Sequence, residues 1–392
     1  LIVLLNTHNT TAEQYYDPGF KSIILTKRKP VYSQALGDFI KVNKAYIDKK
    51  YSILKKRQSI ITLTDEVISK NEVGYYGPIT IGNQNFTVTY DTGSLDLWVP
   101  DISCSISACG SHNRFDPSKS STFHSSKNNF TLSYGLTVNQ SVTGYEGQDT
   151  VIFGGISITQ QNFGLATNEP FADLAEDGII GLGPLNVAGF QTNGVMQSIK
   201  EQKKSSNNMV GFHLGREKNN SKDISFMTLG GVSQDAIIGS IGYNKANISL
   251  GVWIITLSDV KVNGNSVGTF SPAPAIIDTG TTLVYGVSSI VNEIHSQIPD
   301  AILYPPDQGQ DQIWAIPCNT KSVVSFTFDS GSYSIDSAEL IMNTNDSLCV
   351  SGIQSNPEDF WLVGDVFLSS VFSVFDFDNY QVGFAQTRIM TY

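Results

Sequence analysis

Two aspartates sit in the same short setting. An apolar strand runs into Asp91-Thr92-Gly93-Ser94, and 187 residues later Ile276-Ile277 runs into Asp278-Thr279-Gly280-Thr281. A given tripeptide turns up by chance about once per 8,000 positions, so two copies in one chain are a rare accident. One Asp-Thr-Gly alone is an ordinary acidic turn. Two of them, from two halves of a molecule, can face each other and place two carboxylates over one water. The ionised carboxylate then takes a proton from water as general base. The protonated one polarises a carbonyl and later helps protonate the leaving amine. Glycine lets each loop turn sharply and lets another chain approach closely. The Thr hydroxyls are placed to bond across to the opposite loop.

The elements around each aspartate repeat as well. Ile179-Ile180-Gly181 closes on a Gly 90 residues after Asp91, and Leu362-Val363-Gly364 on a Gly 86 residues after Asp278. A whole unit therefore occurs twice, which fits two β-rich lobes. Short strands with turn residues between them are expected over Tyr76–Val88, Ile152–Ile158, Ile224–Gly231, Val252–Val262, Val323–Phe328 and Phe372–Phe384. Helices are expected to be few, Ser289–Gln297 among them, and Asp38–Tyr46 reads as helical. The fold class is all-β.

At 392 residues, with 40% hydrophobic and 16% charged residues, the chain is a folded protein of about two domains. Charge divides it unevenly. Residues 1–57 hold 11 Lys+Arg against 4 Asp+Glu, a balance of +7; the rest hold 14 against 32, a balance of -18. A basic head on an acidic body is drawn to it by charge. The acidic body is a poor nucleic-acid surface, because phosphate is repelled. The head ends in Lys55-Lys56-Arg57, and Lys56-Arg57 reads as a processing site or, equally on this feature alone, as a Lys-rich surface helix end.

Cys104, Cys109, Cys318 and Cys349 form an even set that suits two disulfides in an oxidising compartment, with three pairings open. A zinc site would need histidines at finger spacing, which are lacking. Sequons begin at Asn9, Asn85, Asn129, Asn139, Asn219, Asn247 and Asn345, and lean toward a secreted protein. No stretch is long enough to span a membrane. Leu1–Leu5 is apolar like the end of a signal peptide's core, with no basic residue before it. His112, His124 and His213 fit no metal or triad pattern and read as ordinary loop or strand residues.

The stretches YYGPITIG (75–82), DTGSLDLWVP (91–100), FDPSKSSTF (115–123), LSYG (132–135), DGIIGLG (177–183), LGG (229–231), IIDTGTTLVYG (276–286) and WLVGDVFLSSVFSVFDFDNYQVGFA (361–385) resemble the pepsin-like aspartic proteases. Secreted fungal members with a prosegment are most similar. The resemblance runs from about Tyr75 to Gln386. It implies a two-lobed, internally duplicated β fold with a cleft between lobes. It also implies an endopeptidase acting at acid pH and made as an inactive zymogen. Residues 1–57 would be the prosegment, 58–240 the N-terminal lobe and 241–392 the C-terminal lobe. Sharing of one proton between two close carboxylates is a known property of that family's pairs, not something read from this chain.

The family pattern carries over by position. Asp91 and Asp278 match the catalytic pair. Thr92 and Thr279 match the residues that bond between the lobes, with Gly93 and Gly280 completing the loops. Ser94 and Thr281 match the hydroxyls on the outer carboxylate oxygens. Tyr134 matches the flap tyrosine and Trp98 its hydrogen-bond partner. Gly135 and Gly280 match backbone positions that touch an extended peptide, bound as an added strand. Lys50-Tyr51 resembles the pair that blocks the dyad in zymogens. The family pairing of cysteines is Cys104–Cys109 and Cys318–Cys349. Implied partners are polypeptide substrates and the chain's own prosegment, with no cofactor, metal, nucleic acid or membrane. A monomer is expected, secreted or alternatively vacuolar, with Asn129, Asn139, Asn219, Asn247 and Asn345 as glycosylation candidates. The competing reading is an inert pepsin-like binding protein. Such relatives usually lose an Asp or the flap Tyr, and both are intact here. Departures from the family fall around the pockets. Leu95 replaces a usual Ser, Val252 a frequent Tyr, and the flap through Asn139 is longer. No Asp lies between Tyr134 and Gly144, so Lys just before the cleaved bond is not expected.

Overall fold

The computed structural model describes residues 21–27, 61–68, 71–134, 140–169, 171, 174–184, 193–215, 223–268, 270–304, 313–342, 348–356 and 359–390. Among these, strands dominate and Ser288–Ser296 is the longest helix, close to the expected Ser289–Gln297. The helix expected at Asp38–Tyr46 lies outside the described residues.

Alternation decides which way each strand faces. In Gln84–Asp91 the side chains of Phe86, Val88 and Tyr90 enter the core, and the residues between them stay part-exposed. Val324–Phe328 does the same with Val324, Phe326 and Phe328. Successive strand side chains point to opposite faces, so one apolar set per strand reaches the core. Three hairpins turn on two residues with positive φ: Gly82-Asn83, Gly154-Gly155 and Asn263-Gly264. That turn geometry matches the twist of the flanking strands. The second corrects the single strand expected over Ile152–Ile158. Phe153 pairs with Ile156, so this stretch is the bend between Gln140–Phe153 and Ile156–Asn168. Phe372–Phe384 likewise holds two strands, Val371–Asp376 and Gln381–Thr387.

The described strands form sheets of 14, 8 and 4 strands. The largest draws on both halves of the chain. Val371–Asp376 pairs antiparallel with Met209–His213, and Gln381–Thr387 with Ile237–Lys245. Position 240 falls inside that last strand. Lys21–Lys27 belongs to the same sheet, antiparallel to Ser225–Leu229 and parallel to Thr64–Ile68.

Each half builds the same unit around its aspartate. Gln84–Asp91 runs parallel to Gly178–Gly181, which is antiparallel to Leu97–Pro100. Ala273–Ile277 runs parallel to Trp361–Val363, which is antiparallel to Val284–Val287. The apolar pair ending in Gly is thus the strand inserted between the two arms of each Asp loop. Glycine is required where it emerges. A Cβ on Gly181 would stand 2.3 Å from the Leu95 carbonyl carbon, and one on Gly364 2.0 Å from the Thr281 carbonyl oxygen. Of the three cysteine pairings left open by the sequence, the structure contains Cys104–Cys109 and Cys318–Cys349.

Candidate active site

Asp91 and Asp278 end equivalent strands and are 6% and 9% exposed. Each carboxylate accepts a hydrogen bond from its own loop: Gly93 N–H to Asp91 Oδ1 and Gly280 N–H to Asp278 Oδ1, both 2.8 Å. Each also packs against the opposite loop. A Cβ on Gly93 would stand 2.4 Å from Asp278 Cγ, and one on Gly280 2.4 Å from Asp91 Oδ1. The two loops therefore meet face to face, and the absent side chains of the glycines leave the carboxylates together.

Beneath them the threonines cross over. Thr92 N–H donates to Thr279 Oγ1 at 3.1 Å and Thr279 N–H to Thr92 Oγ1 at 3.0 Å. Thr92 Oγ1 donates onward to the Ile277 carbonyl at 3.0 Å, and Thr279 Oγ1 to the Tyr90 carbonyl at 2.6 Å. All these groups are buried, so each unmade bond would leave a polar atom without water to replace it.

The symmetry ends at the outer oxygens. Thr281 Oγ1 donates to Asp278 Oδ2 at 2.6 Å. Ser94 Oγ is buried and makes no hydrogen bond of good geometry, although it lies close enough to Asp91 to favour the charged form. Asp91 is held well above the usual carboxylate range, first by burial and then by the charge of Asp278 and the hydrogen bond with it. The charge of Asp278 so close by thus opposes ionisation of Asp91.

Tyr134 ends the strand His124–Tyr134 and accepts a 2.8 Å hydrogen bond from Trp98 Nε1, and among the described residues its own O–H donates to none. Burial, and then the charge of Asp91, push its phenol well up, so it stays neutral. Phe171 stands edge-on to Tyr134 with centroids 5.7 Å apart and stacks on Trp98 at 6.3 Å.

The structure thus brings together Asp91, Asp278, Thr92, Thr279, Gly93, Gly280 and Thr281, pairs Trp98 with Tyr134, and leaves Ser94 beside Asp91 without a bond. Gly135, Lys50, Tyr51, Lys56, Arg57, Asn139, Asn219 and Asn345 lie outside the described residues. Asn129 and Asn247 are exposed. Sequence reasoning missed Phe171, which stands in an irregular stretch with no repeat partner. It also read His112 and His213 as ordinary. His112 is buried against Glu169 and His213 against Asp223, at 3.2 and 2.9 Å. No sequence pattern links His112 to a carboxylate 57 positions away.

Residues 74–387 match the family described as eukaryotic aspartyl protease. The chain is 35% identical to an aspartic protease of Phaffia rhodozyma over 363 residues, covering 89% of this chain and 86% of that protein. It is 33% identical to pepsin A of Bos taurus over 362 residues, covering 89% and 93%. It is also 33% identical to cathepsin E-B of Xenopus laevis over 332 residues, covering 82% and 81%.

Proposed function

The chain belongs to the pepsin-like eukaryotic aspartyl proteases, and on that premise we propose that it cleaves extended polypeptides at acid pH with Asp91 and Asp278 as its catalytic pair. One observation carries this reading: two buried carboxylates from duplicated loops, each lying against the other loop's glycine. The pair shares a proton. The ionised member removes a proton from water as it attacks the peptide carbonyl. The protonated member polarises that carbonyl and then protonates the departing amine. Tyr134 closes over the substrate, with its O–H free to bond peptide groups. The substrate binds extended, as an added strand.

We further propose that the chain is made as a zymogen, with 1–57 as prosegment and lobes at 58–240 and 241–392. The strand Lys21–Lys27, knitted into the sheet that joins the halves, supports this: a segment of the basic head is already part of the acidic body. Lys50 and Tyr51 are proposed to block the pair until acid weakens the charge attraction, and cleavage after Lys56-Arg57 to release the enzyme. Two disulfides favour an oxidising route, so we propose secretion, with the vacuole as the other destination.

The test is incubation at acid pH with denatured globin, with and without a statine-type transition-state mimic. Cleavage that the mimic blocks and Asp91→Asn abolishes is expected. No cleavage by the acid-treated wild type, or equal cleavage by Asp91→Asn, overturns the reading.

A further inference from the structure

His112 is buried beside the aromatic cluster, yet the reaction as described has no use for it. It lies three residues after Cys109 of the Cys104–Cys109 disulfide, and its backbone N–H bonds the Cys109 carbonyl at 3.3 Å. Its ring reaches both ends of one segment. Nδ1 stands 3.2 Å from Glu169 Oε1, and Nε2 lies 2.9 Å from the Leu174 carbonyl oxygen. Both partners are acceptors only. Nε2 must donate to the Leu174 carbonyl, and a neutral ring protonated there would turn the Nδ1 lone pair on the Glu169 carboxylate, so the imidazolium is the form that suits both. The Glu169 side chain is 0% exposed, and neither its Oε1 nor His112 Nδ1 makes a hydrogen bond of good geometry among the described residues, so the two face each other as an ion pair. A buried carboxylate of that kind needs a counter-charge.

The segment so tied carries Phe171. Glu169 Oε2 accepts from the Phe171 N–H, and the Leu174 N–H returns to the Phe171 carbonyl at 2.9 Å. Phe171 in turn presses edge-on against Tyr134. We propose that His112, as the imidazolium, is a positioning residue: it fixes Glu169 and Leu174, which bond Phe171, and so holds Phe171 against Tyr134. This rests on the reading of Tyr134 as the flap side chain of a peptidase.

The surrounding charges agree. Burial works against the cation, but the close contact with Glu169, the bond to the Leu174 carbonyl and the charges of Glu169 and Asp177 outweigh it and lift His112 above its ordinary value. Asp177 is itself occupied by Asn113 and Thr87, so Glu169 is the carboxylate left for His112. Arg114 turns its Nη2 to the Gly110 carbonyl. A group raised on folding adds stability that is whole below its unfolded value, near 6.5, and is lost as pH rises through the folded one. The strap that His112 makes to Glu169 and the Leu174 carbonyl is therefore whole at acid pH and weakens as pH rises above about 6.5.

The test compares wild type with His112→Gln and Glu169→Gln at pH 4–5 on a peptide substrate. Losing the buried ion pair is expected to raise KM about tenfold, with kcat within about twofold. Phe171→Leu, which keeps the pair, should raise KM alike. The His112→Gln/Glu169→Gln pair should recover part of the loss, because two amides can bond each other. The ratio of Kd values for a statine-type mimic, His112→Gln over wild type, should shrink toward one as pH rises past neutrality. A KM within twofold of wild type in every variant that folds overturns the proposal. So does a loss in kcat alone, or a pH-independent ratio. Near-UV circular dichroism of the Trp98–Tyr134–Phe171 cluster keeps the two claims apart. A wild type that neither cleaves nor binds the mimic sinks the peptidase reading. The strap is still judged by whether a spectral change above neutrality vanishes in His112→Gln.

Discussion

The two Asp-Thr-Gly units share a backbone and differ in what surrounds it. Both place a carboxylate at a strand end, bond it from the loop glycine at 2.8 Å, and lay it against the opposite loop. The N-terminal unit leaves Ser94 unbonded and carries the Tyr134–Trp98–Phe171 cluster. The C-terminal unit bonds its outer oxygen from Thr281 and has no such cluster described beside it. Even the buried histidines diverge. His112 is ion-paired and raised, whereas His295 lies flat on Trp314 at 4.4 Å, and burial pushes it down to about 4. Duplication thus supplies the matched pair, and divergence around it sets an aromatic cluster beside one loop and a bonded outer oxygen on the other.

The largest expected effect tests the matched part. Gly93→Ala and Gly280→Ala each drive a methyl into the opposite carboxylate. Each should lower kcat by more than about 10²-fold, the scale of an ångström's misplacement. A strong loss in one alone would break the equivalence of the loops.

Thr92→Val and Thr279→Val come next. Each leaves one buried N–H and one carbonyl unpaired, a loss of roughly 3 kcal/mol. Thermal unfolding should fall by about 6–12 °C in both. Unequal falls would show that one lobe bears the crossing alone.

Thr281→Val and Ser94→Ala probe the divergence. Loss of the bond to Asp278 should lower kcat/KM about 10–100-fold, the value of a bond to a charged group. Ser94→Ala should change it only a few-fold. Equal effects would remove the asymmetry at the outer oxygens.

The smallest effect concerns pH. His295 is buried, with Nδ1 bonded to the Val291 carbonyl and Nε2 to Ser351 Oγ. Its folded value is lowered, so its stability contribution is present above about 6.5 and is lost as pH falls toward about 4. Roughly 2–3 kcal/mol should go across that window. Denaturant titrations from pH 7 to 4 should show it, and His295→Phe should flatten the slope. An unchanged slope would remove His295 from the contrast with His112, whose strap tightens over the same range.

Much of the site was legible without coordinates because it is local. Asp-Thr-Gly occurs twice, each copy followed by its apolar pair and Gly, and every residue of each loop is set by its immediate neighbours. Strand content followed from β-branched and aromatic residues at period two. Short-range reading failed where a turn and a strand share residues. Gly154-Gly155 lies within a run apolar enough to pass for one strand.

What the sequence by itself determined is the family, the paired aspartates, the all-β class and the even set of cysteines. The tertiary structure alone decided how the loops meet, which cysteines join, that Thr281 is bonded while Ser94 is not, and that His112 finds Glu169. The reason is physical. A loop's own conformation is written in adjacent residues, whereas the angle of a hydroxyl or the counter-charge of a buried carboxylate depends on packing between segments far apart in the chain. Local composition constrains such packing only through the finished fold.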